Sequence, residues 1–374
     1  MPSRFFLTAL LGLSGPARAT LPGWEGPPAL PTLRAASGPD VRSKLVSLFR
    51  QALVAPKGTF PNNHGASIAE APGGELLISW FAGSKEAARD ARVFLVRYDP
   101  KSGAHTPPSI AVDRQEWPEG APWSDKAVGN SALFVDDEGI AWLFYNGISV
   151  GGWSGAVINY KTSRDGGRSW SEGKRLISAL GNLVRNPPIR LGPGLMLLPA
   201  YTELWTHKAY ACRLAHRGGE ISSISCSENM SQPEAIQPAI AEAGNGALIA
   251  LMRDQRKKNI RRSWSHDGGA SWSRVDRLDL PNPGSAVALV RIDDGRLVLV
   301  YNHSNERRSP LSIAVSKDGG ASFRRIFDLE PAGGHGYSYP AIIQSSDGLL
   351  HVVYTYERKT IKHVTFDKSW LDSR

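Results

Sequence analysis

The stretch Ser163–Trp170, SRDGGRSW, returns as SHDGGASW at Ser265–Trp272 and as SKDGGASF at Ser316–Phe323. Each copy sets Asp-Gly-Gly between a serine and an aromatic. Glycine supplies the positive φ of a tight turn, and the aspartate side chain can hydrogen-bond backbone a few residues on. The aromatic then has neighbouring strands to pack into. The motif reads as a stapled β-hairpin tip that carries no chemistry of its own, and its recurrence asks for a repeat.

A second repeat runs in step with the first. Six segments share a polar start, an apolar run, a Gly-centred turn and a second apolar run. They span 63–81, 130–146, 186–203, 237–253, 285–302 and 339–357. Rich in Val, Ile and Leu and too short for helices, they read as paired strands. Their spacing is that of four-stranded propeller blades, and six hairpins predict an all-β, six-bladed β-propeller over 60–374. The turn motif follows the second, fourth and fifth segments. After the third, Cys212 and Cys226 bracket the matching hairpin, so a disulfide is expected to do the stapling there.

Composition narrows the function. A net charge of +9 favours an anionic partner. The basic residues are scattered, however, and the one cluster, RDQRKKNIRR at 253–262, reads as a solvated hairpin tip, so nucleic acid is not expected. At the N-terminus Arg4 precedes the apolar run 5–13, and Ala17-Arg18-Ala19 is a small-residue cleavage pattern. Residues 1–19 therefore read as a signal peptide, with a periplasmic or secreted product. The run is too short to span a bilayer. Residues 20–59 read as a Pro-rich leader with one short helix at about 41–53.

In such an architecture the first strand of each hairpin starts, and the second ends, on one face near the axis. The starts bring Asn63, His64, Asn130, Asn186, Gln237, Asn282, Ser285, Tyr337 and Tyr339 together. The ends bring Lys85, Glu86, Asp90, Tyr145, Asn146, Tyr201, Glu203, Arg253, Asp254, Asn302, His303, Glu357 and Arg358. Carboxylates, arginines and tyrosines converging on one pocket suit an acidic sugar and proton transfer on it.

With these residues the chain resembles the sialidase (neuraminidase) superfamily, whose six-bladed propellers carry Asp-box turns of the form seen three times here. It resembles most a bacterial group of predicted neuraminidases, through NNHGAS (62–67), WFAGSKEAARD (80–90), RNPPIRL (185–191), LPNPGS (280–285), YNHS (301–304) and the 337–358 segment. The resemblance implies a nucleophile at Tyr337 or Tyr339, an acid/base at Asp90 and Glu203 as the tyrosine's partner. It implies carboxylate-binding arginines at Arg253 and at Arg185 or Arg358. Where the family has its first arginine, this chain has His64. An imidazole does not reproduce a bidentate guanidinium clamp.

Three readings follow. The first is a secreted exo-glycosidase of sialidase type on an acidic oligo- or polysaccharide. The second is a uronate lyase using His64 with Tyr337 or Tyr339. The third is a carbohydrate-binding propeller without catalysis. None calls for a cofactor or a metal, and Asn63, Lys85, Asn130, Asn186, Gln237 and Asn302 complete the expected substrate-binding set.

Overall fold

Alternating apolar runs broken at Gly-centred turns give strands almost throughout. The computed structural model describes residues 47–374 apart from 115, 231–233 and 335, and its only α-helix among these is Lys368–Asp372. The six segments of the sequence are the first two strands of six antiparallel units. The first unit holds Asn62–Glu70, Leu76–Gly83 and Arg92–Asp99, the last paired by Ser109–Val112 and Ala104–His105. The second runs Ala127–Val135, Ala141–Ile148, Ala156–Ser163, Lys174–Ile177. The third runs Ile189–Gly192, Leu195–Thr202, Lys208–Arg217, Glu220–Cys226, with Asn182–Val184 added. A single parallel contact, Lys208 to Ala235, links it to the fourth: Ala235–Gly244, Ala247–Asp254, Asn259–Ser265, Asp276–Pro281. The fifth runs Ala288–Arg291, Leu297–Asn302, Leu311–Ser316, Arg324–Glu330, and the sixth Tyr337–Gln344, Leu350–Tyr356, Thr360–Phe366.

The outer strand of the sixth unit comes from the other end of the described chain. Phe49–Leu53 pairs antiparallel with Lys362–Phe366. This corrects the expected helix at about 41–53 over its last five residues. Their ladder partners lie some three hundred residues away, and tertiary pairing overrides local propensity. The remainder of that span, the expected signal peptide and most of the leader lie outside the described residues.

The sheets bury both faces. One apolar core joins Ile68, Ile78 and Trp80 of the first unit to Ala341, Val353 and Ile361 of the sixth, with Val54 between them. Corresponding cores lie between first and second, second and third, third and fourth, fourth and fifth, and fifth and sixth units. All six first strands, through Ile68, Leu133, Ile189, Ile240, Leu289 and Ile342 among others, line a cavity of about 240 Å³.

The repeated turns tie units together. In each, the aspartate accepts from the hydroxyl of the leading serine and from the backbone N–H and hydroxyl of the later one: Ser163 and Ser169 on Asp165, Ser265 and Ser271 on Asp267, Ser316 and Ser322 on Asp318. The second glycine presses on the preceding unit. A Cβ at Gly167 would lie 3.0 Å from Leu77 Cδ2, and one at Gly269 2.7 Å from Leu197 Cδ2. In the third unit Cys212 and Cys226 face each other across paired strands and are joined by a disulfide.

Candidate active site

Strand side chains alternate between faces, so a plain ladder would offer the axis few polar groups. Four of the first strands break that alternation. Register shifts fall between His64 and Ser67, Gly129 and Ser131, Ile236 and Ala239, and Ser338 and Ala341. The residues at these bulges have positive φ: Gly65 at 69°, Asn130 at 31°, Gln237 at 56° and Tyr339 at 55°. A bulge re-aims a side chain, and a non-glycine residue in this region costs on the order of 1–3 kcal/mol. At Gly65 the space is also closed, since a Cβ would lie 3.1 Å from Asn130 Oδ1.

The bulged residues meet in a pocket of about 180 Å³. From the first strands it receives His64, Asn130, Gln237 and Tyr339; Tyr201, Glu203, Arg253 and Arg358 come from the ends of second strands, and Glu86 and Arg308 from loops. Trp153, on the short 3-10 turn Trp153–Gly155, adds an aromatic wall.

Tyr339 is the hub. Its hydroxyl accepts from Arg253 Nη1 at 2.8 Å and from Gln237 Nε2 at 3.2 Å. The guanidinium carbons of Arg308 and Arg185 each lie 5.2 Å from its ring centroid. Burial alone would raise the phenol's pKa. Arg253, Arg308 and the Gln237 bond outweigh it, and the pKa lies below the usual tyrosine value. Tyr201, whose hydroxyl also accepts from Gln237 Nε2, behaves oppositely: burial and the Glu203 charge push it well up.

His64 packs against Tyr339 with ring centroids 4.1 Å apart. Its Nδ1 is 2.9 Å from Thr355 Oγ1, and its buried Nε2, 3.5 Å from Glu86 Oε1, has no hydrogen-bond partner among the described residues. Burial, then the charges of Arg358, Arg308, Arg185 and Arg253, hold its pKa well below 6.5, so the imidazole is neutral at neutral pH. Burial likewise raises Glu203, against the pull of Arg253. Glu86 pairs with Arg358 Nη1 at 2.5 Å.

Other expected site residues turn out to be scaffold. Arg185 is fully buried beneath the pocket, donating from Nη2 to the carbonyls of Tyr339 at 2.6 Å and Pro340 at 3.0 Å. Burial lowers its pKa to about 10. Asn186 does the same for the carbonyls of Gln237 and Pro238, and Asn302 for those of Pro310 and Tyr337. Asn63 donates to the Phe60 and Lys359 carbonyls and accepts from Trp80 Nε1. Arg185 and Asn186 thereby hold the bulges at Tyr339 and Gln237 in shape, while Asn63 and Asn302 brace neighbouring loops and strands.

Three expectations are corrected. Asp90 is exposed, tied to Ser84 by its N–H and hydroxyl, and does not line the pocket; Glu86 of the same loop does. Lys85 is exposed and outside the pocket. Tyr337 faces the apolar core against Tyr356, since it lies two residues before the bulge at Tyr339. Arg308 and Trp153 were not singled out from sequence, because neither sits at a repeat position. The one group of described side chains close enough to share a metal ion, Asp136, Glu138 and His216, lies away from this pocket.

Comparison with known proteins bears on the fold. A family model described as "BNR repeat-like domain" matches residues 74–352. Among solved structures, the chain is similar to the Hadza microbial sialidase Hz136, with TM-score 0.72 and 17% identity over 84% of this chain and 68% of that one. It is similar to the NanB sialidase from Streptococcus pneumoniae, with TM-score 0.69 and 12% identity over 84% and 70%. A Dyadobacter fermentans protein of unknown function aligns with TM-score 0.68 and 16% identity over 85% and 99%. No curated protein matches the sequence. The family match spans most of the chain, and the structural likeness, at these identities, speaks to fold alone; the chain belongs to the BNR repeat-like domain family and has the propeller-type fold of the sialidase superfamily.

Proposed function

We propose that the six units close into a six-bladed propeller and that its axial pocket belongs to an exported exo-glycosidase of sialidase type acting on an acidic glycan. Closure is supported by the strand Phe49–Leu53 completing the sixth sheet and by the core shared between first and sixth units. The observation that carries the chemistry is Tyr339, a buried phenol with a lowered pKa, hydrogen-bonded to Arg253 and flanked by Arg308. A buried hydroxyl with a depressed pKa beside cationic side chains is the arrangement a nucleophile needs.

In this reading Arg253, Arg308 and Arg358 bind the sugar carboxylate and Trp153 supports the ring. Tyr339 reacts as the phenolate that Arg253 Nη1 and Gln237 Nε2 donate to; its oxygen bonds to the anomeric carbon as the glycosidic C–O bond breaks, and Glu203, its pKa raised by burial, delivers the proton to the leaving oxygen. Water then cleaves the glycosyl–tyrosine bond and Glu203 recovers its proton.

One observation favours a second reading. His64 is neutral, packed against Tyr339 with the rings tilted at 45°, and its Nε2 has no hydrogen-bond partner among the described residues. In a uronate lyase such an imidazole would take the C5 proton while Tyr339 protonates the departing oxygen, the arginines neutralising the carboxylate. Product mass separates the two. Sialylated and uronate-containing oligosaccharides are incubated with the wild type and with Tyr339→Phe. Products heavier by one water support hydrolysis, and an unsaturated sugar absorbing in the ultraviolet supports elimination. Binding without turnover on any acidic glycan would reject both.

A further inference from the structure

We propose that Asp136, Glu138 and His216 form a binding site for a divalent first-row transition ion of the zinc type, clamping the second unit to the third. The three donor atoms lie within 4.8 Å of one another. Asp136 and Glu138 sit in the turn that follows Ala127–Val135, and His216 is near the end of Lys208–Arg217. This turn is six residues beyond Asn130 along the strand, roughly 20 Å from the pocket by strand rise.

The histidine carries the argument. His216 is 5% exposed, and its Nδ1 is buried without a hydrogen-bond partner among the described residues. Nδ1 lies 3.5 Å from Asp136 Oδ2, which is long for a hydrogen bond. It does match the ligand–ligand edge, roughly 3.3–3.6 Å, of a tetrahedron built on bonds of about 2.0–2.2 Å to zinc. An imidazole with two carboxylates suits zinc and its neighbours, whereas calcium asks for six to eight oxygens.

The ligands are also oriented. Asp136 Oδ2 accepts from Trp142 Nε1 at 2.7 Å, and Oδ1 accepts from the N–H groups of Glu138 at 3.0 Å and Ile140 at 2.8 Å. The edge of Trp142 meets the His216 ring, with centroids 5.4 Å apart, and the His216 backbone N–H donates to the Gly194 carbonyl at 2.8 Å, fixing the main chain that carries the ring. Such outer partners are what fix metal ligands in place. Glu138, the exposed member, accepts from Gly218 N–H at 2.8 Å and closes the site from the solvent side.

The location gives the site a purpose. Three units press an Asp-box turn onto the unit before them. The third brings Arg217-Gly218-Gly219 to the same place, where a Cβ at Gly219 would lie 3.7 Å from Ile140, but it has neither the serine nor the aspartate of the box. An ion held by His216 on one side and Asp136 and Glu138 on the other supplies the missing tie.

The test uses untagged, chelator-treated full-length protein titrated with Zn²⁺ and, separately, Co²⁺. Expected are one bound equivalent, a rise in melting temperature of a few degrees at saturation, and a Co²⁺ visible spectrum of tetrahedral intensity. Glu138→Gln keeps an acceptor for Gly218 and should fold normally, yet weaken binding by about 10–100-fold or more. His216→Gln should abolish the Co²⁺ spectrum, and His351→Gln, in the separate histidine cluster, should leave the Co²⁺ spectrum and the bound equivalent unchanged. No stoichiometric binding, or binding undiminished in Glu138→Gln, would overturn the proposal.

Discussion

Three histidines in the sixth and first units make stability depend on pH in a calculable way. His363 Nδ1 is 3.2 Å from His105 Nε2, and its Nε2 is 2.9 Å from His351 Nδ1. Thr365 Oγ1 lies against His351 and His363, Ser345 Oγ is 3.1 Å from His351 Nε2, and the Tyr98 ring packs on His105 and His363. Burial lowers His105 and His351 to about 4, and lowers His363 well below its ordinary value, with the two neighbouring imidazoles adding to the effect. Each is neutral in the folded protein where the unfolded chain, with a pKa of about 6.5, already binds a proton.

The unfolded state thus binds more protons as pH falls, so the stability is fully present above about pH 6.5 and is lost on the way down to about pH 4. Lowering from about 6.5 to about 4 corresponds to at most roughly 3 kcal/mol for each of His105 and His351. Between those limits each histidine contributes about 1.4 kcal/mol per pH unit. Against a total of about 5–15 kcal/mol for a folded domain, that is enough to unfold the protein in mild acid. The lowered Asp165 and Asp318, each at about 2, lose their contribution only below the ordinary carboxylate range, so the two windows are distinct. His64 and His303 are also lowered by burial and act in the same direction. The decisive measurement is therefore a difference. Urea midpoints across this pH range are compared for the wild type and His105→Gln, which should reduce the slope by about 1.4 kcal/mol per pH unit. Parallel pH profiles for the two proteins would refute the reasoning.

Other outcomes follow from the same structure. His64→Ala should reduce turnover on an acidic glycan by about 10²–10⁴-fold with little change in melting temperature; the wild-type acid limb should lie well below pH 6.5, and an ordinary histidine limb near about 6.5 would contradict the neutral, buried imidazole. Reducing the Cys212–Cys226 bond should cost about 2–4 kcal/mol in urea unfolding, and free thiols in the unreduced, unfolded protein would show that the pair is not joined in the mature chain. Asp318→Ala removes the acceptor for the Ser316 hydroxyl and for the Ser322 N–H and hydroxyl, and should destabilise by about 1–2 kcal/mol while leaving ligand affinity unchanged. A loss of affinity there would mean that the turn is more than a staple.

Much of the architecture was legible because it repeats. Each of the six hairpins appears within a few residues of its expected place, since apolar runs around Gly-centred turns are local signals. The strand Phe49–Leu53 was not legible: its register is set by Lys362–Phe366, and nothing within the segment records that partner. Arg308 was missed for a related reason. It lies in the loop between Leu297–Asn302 and Leu311–Ser316 and reaches the pocket past Gly284, whose carbonyl it contacts at 3.3 Å. A search confined to strand ends finds Asn302 and His303 in that unit and stops there.

The polar ring shows where sequence reading runs out, and why. Neighbouring polar residues at the strand starts divide between two tasks: His64 faces the pocket while Asn63 braces the hairpin Leu350–Phe366, and Tyr339 faces it while Tyr337 enters the core. Arg185 and Asn186 both go beneath it, Arg185 gripping the carbonyls of the bulge in the sixth unit and Asn186 those of the bulge in the neighbouring fourth. Which neighbour does which depends on the position of the extra residue in each ladder, and a one-residue difference sends a side chain to the other face. Strain at Asn130, Gln237 and Tyr339 needs holding, and the buried Arg185 and Asn186 hold it for two of the three. Arg185→Met should therefore lower turnover through Tyr339 misplacement without touching the ligand. Rescue by Arg185→Lys should be partial, because one ammonium can keep a carbonyl contact but not the planar guanidinium packed beside the Tyr339 ring. A measured KM and kcat unchanged in Arg185→Met would show that the bulge keeps its shape unaided.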